Sequence, residues 1–463
     1  MNSLSRVSHA FRAQCEPIIF HSITLCDDKK RALRISNRIL GRLENPKDSL
    51  VHNVRHITVG YTSDQAVLPE KSLLQALRNV QVLKSLTWRT WLPVTAEILD
   101  SLRKTHPSAR VSVIAHERNN LPLDEALLSS TQLHTLDIKL SALYDKNFRK
   151  PMGKSELKNL KTLVMQGGSL RVLRLRFEKI KHGSRAARNR FQGYGPSECE
   201  PVAFKFEDGE MLPALEELVL RDMFSWGEHQ TATTNACEAW KTHQDWSSLR
   251  TLDLRLDGGE EMLRCLTTAV PQLQTLKVKM KFHGHPIAAT LDDFLQSVHH
   301  LTHLHVECDS SISLDLLQTV YRTVSHHLIS LYMEMDSNLV SWRQEQFLEL
   351  FSRCSQLEAL MLDGSTHLVF GAWTAIEAKL PPESKLRHLV QTKRKPVPPR
   401  KFATRPSRYG QHIRCTGTGF LYSFYVPEPP NWLGYTESEV DAETKQAFAR
   451  GQVLAIFDLA FAL

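Results

Sequence analysis

"DWSSLRTLDLRL", residues 245–256, places leucines at 249, 252 and 254, and that L-x-x-L-x-L spacing decides the fold. In an extended chain successive side chains point to opposite faces, so Leu252 and Leu254 share one face and Asp253 and Arg255 the other. The phrase returns as LHTLDI at 133, LRVLRL at 170, LEELVL at 215, LQTLKV at 273, LTHLHV at 301, LISLYM at 328 and LEALML at 357. A weaker copy, LRHLVQ, starts at 386, and VRHITV at 54, LKSLTW at 83 and ARVSVI at 109 read as degenerate copies. From 249 onward the steps are 24, 28, 27, 29 and 29 residues.

A period in the twenties carrying this phrase is the mark of a leucine-rich repeat. The stretches between phrases hold apolar residues at helical spacing: Phe294, Leu295 and Val298 form one stripe, and Leu314, Leu317, Val320, Tyr321 and Val324 another. Each unit is therefore a strand followed by a helix. One unit cannot bury its own leucines, so neighbours must stack. The predicted fold is an α/β leucine-rich-repeat solenoid, with a curved parallel sheet inside and helices outside, over residues 50–390. Residues 177–214, rich in Gly, Pro and Arg, read as a loop inserted in the array. LKNLKTLVM at 157–165 stands too close to the next phrase to be a repeat and reads as helix. Residues 391–463 begin with a dense Pro and Lys/Arg run and read as a linker and tail.

The chain has 463 residues, of which 42% are hydrophobic and 23% charged, the composition of a protein with a large core. No apolar run reaches the roughly 18 residues that span a bilayer. The opening MNSLSRVSHAF lacks the apolar segment of a secretory signal. The last eleven residues, VLAIFDLAFAL, are too short to cross a membrane and read as a packed terminal element. Eight scattered cysteines with no C-x-x-C pair argue against a disulfide framework, which places the chain in the cytoplasm, the nucleus or both. The net charge of +8 is uneven. Residues 385–414 hold ten Lys/Arg and no Asp/Glu, and residues 171–190 hold eight against Glu178 alone.

Signals for catalysis are missing: the sequence has no G-x-S-x-G, no Walker loop, no H-E-x-x-H and no G-x-G-x-x-G. No cofactor is expected. HHLTHLHVEC brings together His299, His300, His303, His305 and Cys308, but Leu304 and Val306 serve the core and no C-x-x-C completes a zinc set, so no metal is expected. KRKPVPPRK at 393–401 resembles an import signal or a phosphate-binding patch. With Arg185, Arg188 and Arg190 it offers nucleic acid a non-specific handle, without a recognised binding motif beside it.

The N-terminal run LSRVSHAFRAQCEPIIFHSITL (4–25) resembles the closing helix and exit of a fungal F-box domain. Leu4, Val7, Phe11 and Arg12 match the helix, and Pro17, Ile18, Ile19, Phe20 and Ile23 match the exit segment. LPALEELVLRDMFSW (212–226) and DWSSLRTLDL (245–254) are similar to the leucine-rich region of the same family. The family's F-box opens on a Leu-Pro segment and a first helix that have no counterpart here, so residues 1–25 read as an F-box remnant. The resemblance implies the substrate-receptor subunit of a Skp–cullin–F-box ubiquitin ligase. Leu4, Val7 and Phe11 would then face a Skp-type adaptor or cap the first repeat.

The outward strand positions are the expected contact row for a protein substrate: Arg174, Arg176, Arg221, Arg255, Lys277, Lys279, His303, His305, Tyr332 and Glu334. Their charge runs from basic to mixed or acidic, which suits a partner of matching polarity. Two other readings stay open: an interaction scaffold with no ubiquitin role, and a nucleic-acid-associated protein that uses the two basic segments. No membrane partner is expected.

Overall fold

The computed structural model describes residues 15–26, 30–61, 69–90, 92–115, 127, 130–140, 168–177, 206–222, 230–255, 259–280, 287–308, 318–320, 322–335, 344–363, 388–394, 408–416 and 419–425. Leu4, Val7, Phe11, the helix expected at 157–165 and most of the inserted loop lie outside them. The chain divides into two compact units, Met1–Leu249 and Arg250–Leu463.

In the first unit seven strands pair in parallel, each with the next in sequence: β1 (Ser22–Cys26), β2 (His56–Gly60), β3 (Ser85–Trp88), β4 (Arg110–Ala115), β5 (Leu133–Leu140), β6 (Val172–Phe177) and β7 (Glu217–Asp222). The degenerate copies at 54, 83 and 109 thus become β2, β3 and β4. The ladder starts earlier still, because SITLC alternates as the later phrases do and gives β1 buried Ile23 and Leu25 between exposed Ser22 and Thr24. Helices α1 (Lys30–Leu43), α2 (Leu50–Asn53), α3 (Glu70–Asn79), α4 (Ala96–Thr105) and α5 (Gln230–Thr242) fall between strands. α1 packs on β1 and on α3, and α3 packs on α4.

In the second unit β8 (Thr251–Leu254), β9 (Thr275–Met280), β10 (His303–Cys308), β11 (Ser330–Met335), β12 (Ala359–Asp363) and β13 (His388–Arg394) repeat the parallel pattern. β14 (Arg408–Thr416) and β15 (Gly419–Tyr425) then add an antiparallel meander, within the segment whose composition reads as linker and tail. Helices α6 (Gly259–Leu266), α7 (Ile287–Ser297) and α8 (Gln344–Arg353) cross between strands.

Parallel register puts equivalent leucines side by side. Leu136, Leu173 and Leu218 are adjacent, as are Leu252, Leu276, Leu304, Leu331 and Leu360, and each is at most 1% exposed. Each such side chain contributes on the order of 2 kcal/mol of transfer free energy. The predicted helical stripes are buried where described: Phe294, Leu295 and Val298 on and just past α7, then Val320 and Val324.

The backbone repeats the same rhythm. The N–H of Gln274 donates to the Arg250 carbonyl, Thr302 to Gln274, Ile329 to Thr302 and Glu358 to Ile329, at 2.8–2.9 Å. These residues all come directly after the first leucine of their phrase, so the position is fixed by sequence. Side-chain amides close the turns left over. Asn79 Nδ2 donates to the carbonyls of Leu43 (2.9 Å) and Glu44 (2.8 Å), and Gln132 Nε2 to those of His106 (2.7 Å) and Ala109 (3.1 Å). The His106 carbonyl also accepts the Ala109 N–H at 2.9 Å, so the amide adds a second bond there.

Candidate partner-binding face

The face of each sheet opposite the leucines is built from the positions between and after them. Register fixes which side chains meet. In the first unit Asp137, Arg174 and Val219 lie in one row, and Lys139, Arg176 and Arg221 in the next. In the second unit Asp253, Lys277, His305, Tyr332 and Met361 form a row. The following row places Lys279, Glu307, Glu334 and Asp363 side by side, with Arg255 just past the end of β8. Of the residues expected to point outward, Arg174, Arg176, Arg221, Lys277, Lys279, His303, His305, Tyr332 and Glu334 hold register positions in the strands, and Arg255 follows β8 directly.

The guanidinium groups in these rows do not stand alone. Arg174 Nε and Nη2 donate to the two carboxylate oxygens of Glu217 at 2.7 and 3.0 Å, and its Nη1 to Asp137 Oδ2 at 3.4 Å. Arg176 Nη2 donates to the same Asp137 oxygen at 3.1 Å. Asp137 is 1% exposed although it points away from the leucines, because two arginines close over it. Its second oxygen, Oδ1, and Arg176 Nε are buried and have no hydrogen-bond partner among the described residues. The hydrogen bond to Glu217 leads the effects that raise the Arg174 pKa above its ordinary value, against the opposing effect of burial.

The second unit pairs an arginine and an aspartate two residues apart in one repeat. Arg255 Nε and Nη2 reach Asp253 Oδ1 and Oδ2, both at 3.0 Å, and Arg255 Nη1 reaches Glu307 Oε1 at 3.3 Å. Asp253 is 1% exposed. Burial pulls the Arg255 pKa down, but the hydrogen bonds and attraction of Asp253 and then Glu307 outweigh it and raise the value. His305 Nε2 lies 3.5 Å from Glu307 Oε1, and its ring meets Tyr332 edge-on with centroids 3.9 Å apart.

A row nearer the strand starts pairs histidine with serine across neighbouring strands: His56 Nδ1 with Ser85 Oγ at 2.7 Å and His303 Nδ1 with Ser330 Oγ at 2.9 Å. Burial lowers the pKa of both rings. His21 and Lys84 add to the effect at His56, and Lys277 at His303. Among the described residues no carboxylate contacts the other nitrogen of either ring. His299 and His300 are exposed at the turn after α7. Among the described residues no group of three or more His, Cys, Asp or Glu is placed to hold a metal ion. No described helix is long and apolar enough to cross a membrane.

The sequence flagged the arginines but missed what organises them. Asp137 and Asp253 occupy the same place in LHTLDI and LRTLDL, an acid flanked on both sides by buried apolar residues. That flanking, with Arg255 two residues on, was the available signal for a buried pair.

No protein-family model and no curated protein matches the sequence. Among solved structures, the leucine-rich repeat-containing protein LegL7 from Legionella pneumophila is similar at 12% identity and a TM-score of 0.35. The match covers 72% of this chain and 90% of LegL7. A TLR13–ssRNA13 complex matches at 13% identity and a TM-score of 0.32, over 70% of this chain and 42% of that one. At such values the leucine-rich-repeat fold rests on the chain's own register, period and burial.

Proposed function

We propose that the chain is a non-catalytic receptor for another protein, acting as the substrate-receptor subunit of a Skp–cullin–F-box ubiquitin ligase. The observation that supports a docking role is the outward face itself, where charged side chains are held in place by the buried carboxylates of Asp137 and Asp253. A target protein meets Arg174, Arg176 and Arg221 in the first unit. In the second it meets Arg255, Lys277, Lys279, His303, His305, Tyr332 and Glu334. The N-terminal residues Leu4, Val7 and Phe11 face the Skp-type adaptor, as the F-box resemblance implies. The reaction itself belongs to the other ligase subunits, and this chain needs no cofactor. The setting is the cytoplasm or the nucleus.

Affinity purification of the full chain from its native cells, followed by mass spectrometry, tests adaptor and target together. Lys277→Glu/Lys279→Glu is expected to lose the target and keep the adaptor, and Leu4→Ala/Val7→Ala/Phe11→Ala to do the reverse. A target retained with no adaptor in any sample would leave an interaction scaffold without a ubiquitin role.

A further inference from the structure

α1 differs from every other described helix of eight or more residues. Its sequence, KRALRISNRILGRL, carries five cations and no carboxylate, whereas each of the others has at least one Asp or Glu. Ser36, Leu40 and Leu43 are buried and set the inward side; Ser36 Oγ accepts the Cys26 N–H (2.9 Å) and donates to its carbonyl (3.0 Å). Arg42, beside that inward side, is neutralised by Asp48 at 2.8 Å and Glu16 at 3.4 Å and lies over the Phe20 ring. Arg31, Arg34 and Arg38, spaced i, i+3 and i+7, are exposed on the opposite side and make no ion pair among the described residues.

Like charges at this spacing weaken a helix, and neighbouring helices mix their signs instead. The ridge is also not purely polar. Of the five large hydrophobic side chains exposed among the described residues, Ile35 at 47% flanks the ridge, one helical turn from Arg31 and from Arg38. Exposed aliphatic side chains beside arginines are the make-up of a protein interface. Nucleic acid would call for a stacking aromatic, and none is among these exposed side chains. A lipid headgroup takes lysine as readily as arginine, but the ridge uses arginine at all three places, and arginine's planar fork matches carboxylates two oxygens at a time. The chain's own first fourteen residues do not complement the ridge, since they contain Arg6 and Arg12 and no acid.

We infer that the exposed side of α1 docks an acidic amphipathic helix of a partner protein, with glutamates or aspartates facing Arg31, Arg34 and Arg38 and small apolar residues covering Ile35. The site lies on the helical side of the first unit. It uses neither the outward strand row nor Leu4, Val7 and Phe11, so it stands or falls separately from the receptor reading. The test is fluorescence anisotropy with the full chain and a labelled helical peptide of repeating Glu-Leu-Ala-Glu-Ala-Leu-Ala heptads, beside its lysine counterpart. The acidic peptide is expected to bind, more weakly as salt rises. Arg34→Gln/Arg38→Gln should weaken it by about tenfold, and Arg31→Glu/Arg34→Glu/Arg38→Glu should transfer preference to the lysine peptide. Far-UV circular dichroism verifies that each variant is folded. The inference is overturned if the folded chain ignores the acidic peptide, or if the variants bind it unchanged. It is equally overturned if the ridge instead retains phosphatidylserine vesicles or an RNA oligonucleotide in an arginine-dependent way.

Discussion

Arg255→Ala removes the two side-chain hydrogen bonds that Arg255 donates to Asp253, at 3.0 Å each, and the one to Glu307 at 3.3 Å. Asp253 is 1% exposed and also accepts the Arg255 backbone N–H at 3.4 Å. Breaking a buried ion pair on one side costs about 3–5 kcal/mol, because the remaining charge loses the partner that offset its desolvation. The Arg255 side chain is 19% exposed, so water enters the space it vacates and the cost falls to the lower end, about 3 kcal/mol. Asp253→Asn keeps the shape and leaves Arg255 with Glu307 and solvent, for a cost of about 1 kcal/mol. In the double variant no buried charge remains, and the loss should be about 2 kcal/mol rather than the 4 kcal/mol of independent sites. Hydrogen exchange read by mass spectrometry over β8 to β10 measures the opening free energy locally, which suits a chain of two units better than a global midpoint. Additivity within about 0.5 kcal/mol would show that the two residues do not share one interaction, and the account of this face would fail. So would a loss for Arg255→Ala no larger than that for Lys279→Ala.

Gly259→Ala should destabilise the second unit by about 1–3 kcal/mol, because a Cβ there would sit 2.8 Å from the Leu254 carbonyl oxygen and 3.5 Å from that of Lys279. Urea denaturation would show it, and a neutral result would mean that β8 yields freely at its end. Leu276→Ala, in the middle of the leucine row and fully buried, should cost about 2–5 kcal/mol with no change in secondary structure by circular dichroism. Acidification should also weaken the fold. Burial is the leading cause of the lowered pKa values of His56, His134 and His303, so the folded chain takes up their protons at lower pH than the unfolded chain does. Stability is then complete above the ordinary histidine value near 6.5 and is lost as pH falls through the depressed values, by at most about 1.4 kcal/mol per pH unit for each ring. His303→Gln should flatten part of that slope in thermal melts between pH 7 and pH 5, and an unchanged slope would remove His303 from the account.

The fold was legible because its determinant is local. Two leucines on one strand face and a helical stripe behind them are visible within fifteen residues, as at Leu252, Leu254, Met262 and Leu266. The outward placement of Arg174, Arg255 and His305 came from the same alternation. Their partners did not, because Arg174 and Glu217 are 43 residues apart and Arg255 and Glu307 are 52 apart. Such pairs depend on which repeats become neighbours and on the register between them. The basic helix α1 was hidden for another reason. The leucine phrase says nothing about a stretch whose information lies in the absence of acids.

The ion pairs also change what the outward face has to offer a partner. A row of free arginines would attract an acidic protein through its net field, and each side chain would then lose up to about 2 kcal/mol of rotamer entropy on docking. Here that ordering is done within the fold. The charges of Arg174 and Arg176 are balanced by Asp137 and Glu217, beside Lys139 and Arg221, and in the second unit Arg255, Lys277 and Lys279 share their rows with Asp253, Glu307, Glu334 and Asp363. The paired arginines add little long-range attraction, while their hydrogen-bonding edges stay fixed in space. Recognition on this face therefore depends on where donors and acceptors sit rather than on how much charge they sum to. Its association rate with a target should change little between low and physiological salt, where a bare basic row would slow severalfold as the Debye length contracts from about 30 Å at 0.01 M to about 8 Å. A steep salt dependence in stopped-flow association, abolished by Lys277→Glu/Lys279→Glu, would show instead that the two lysines steer the encounter and that the paired arginines are only scaffold.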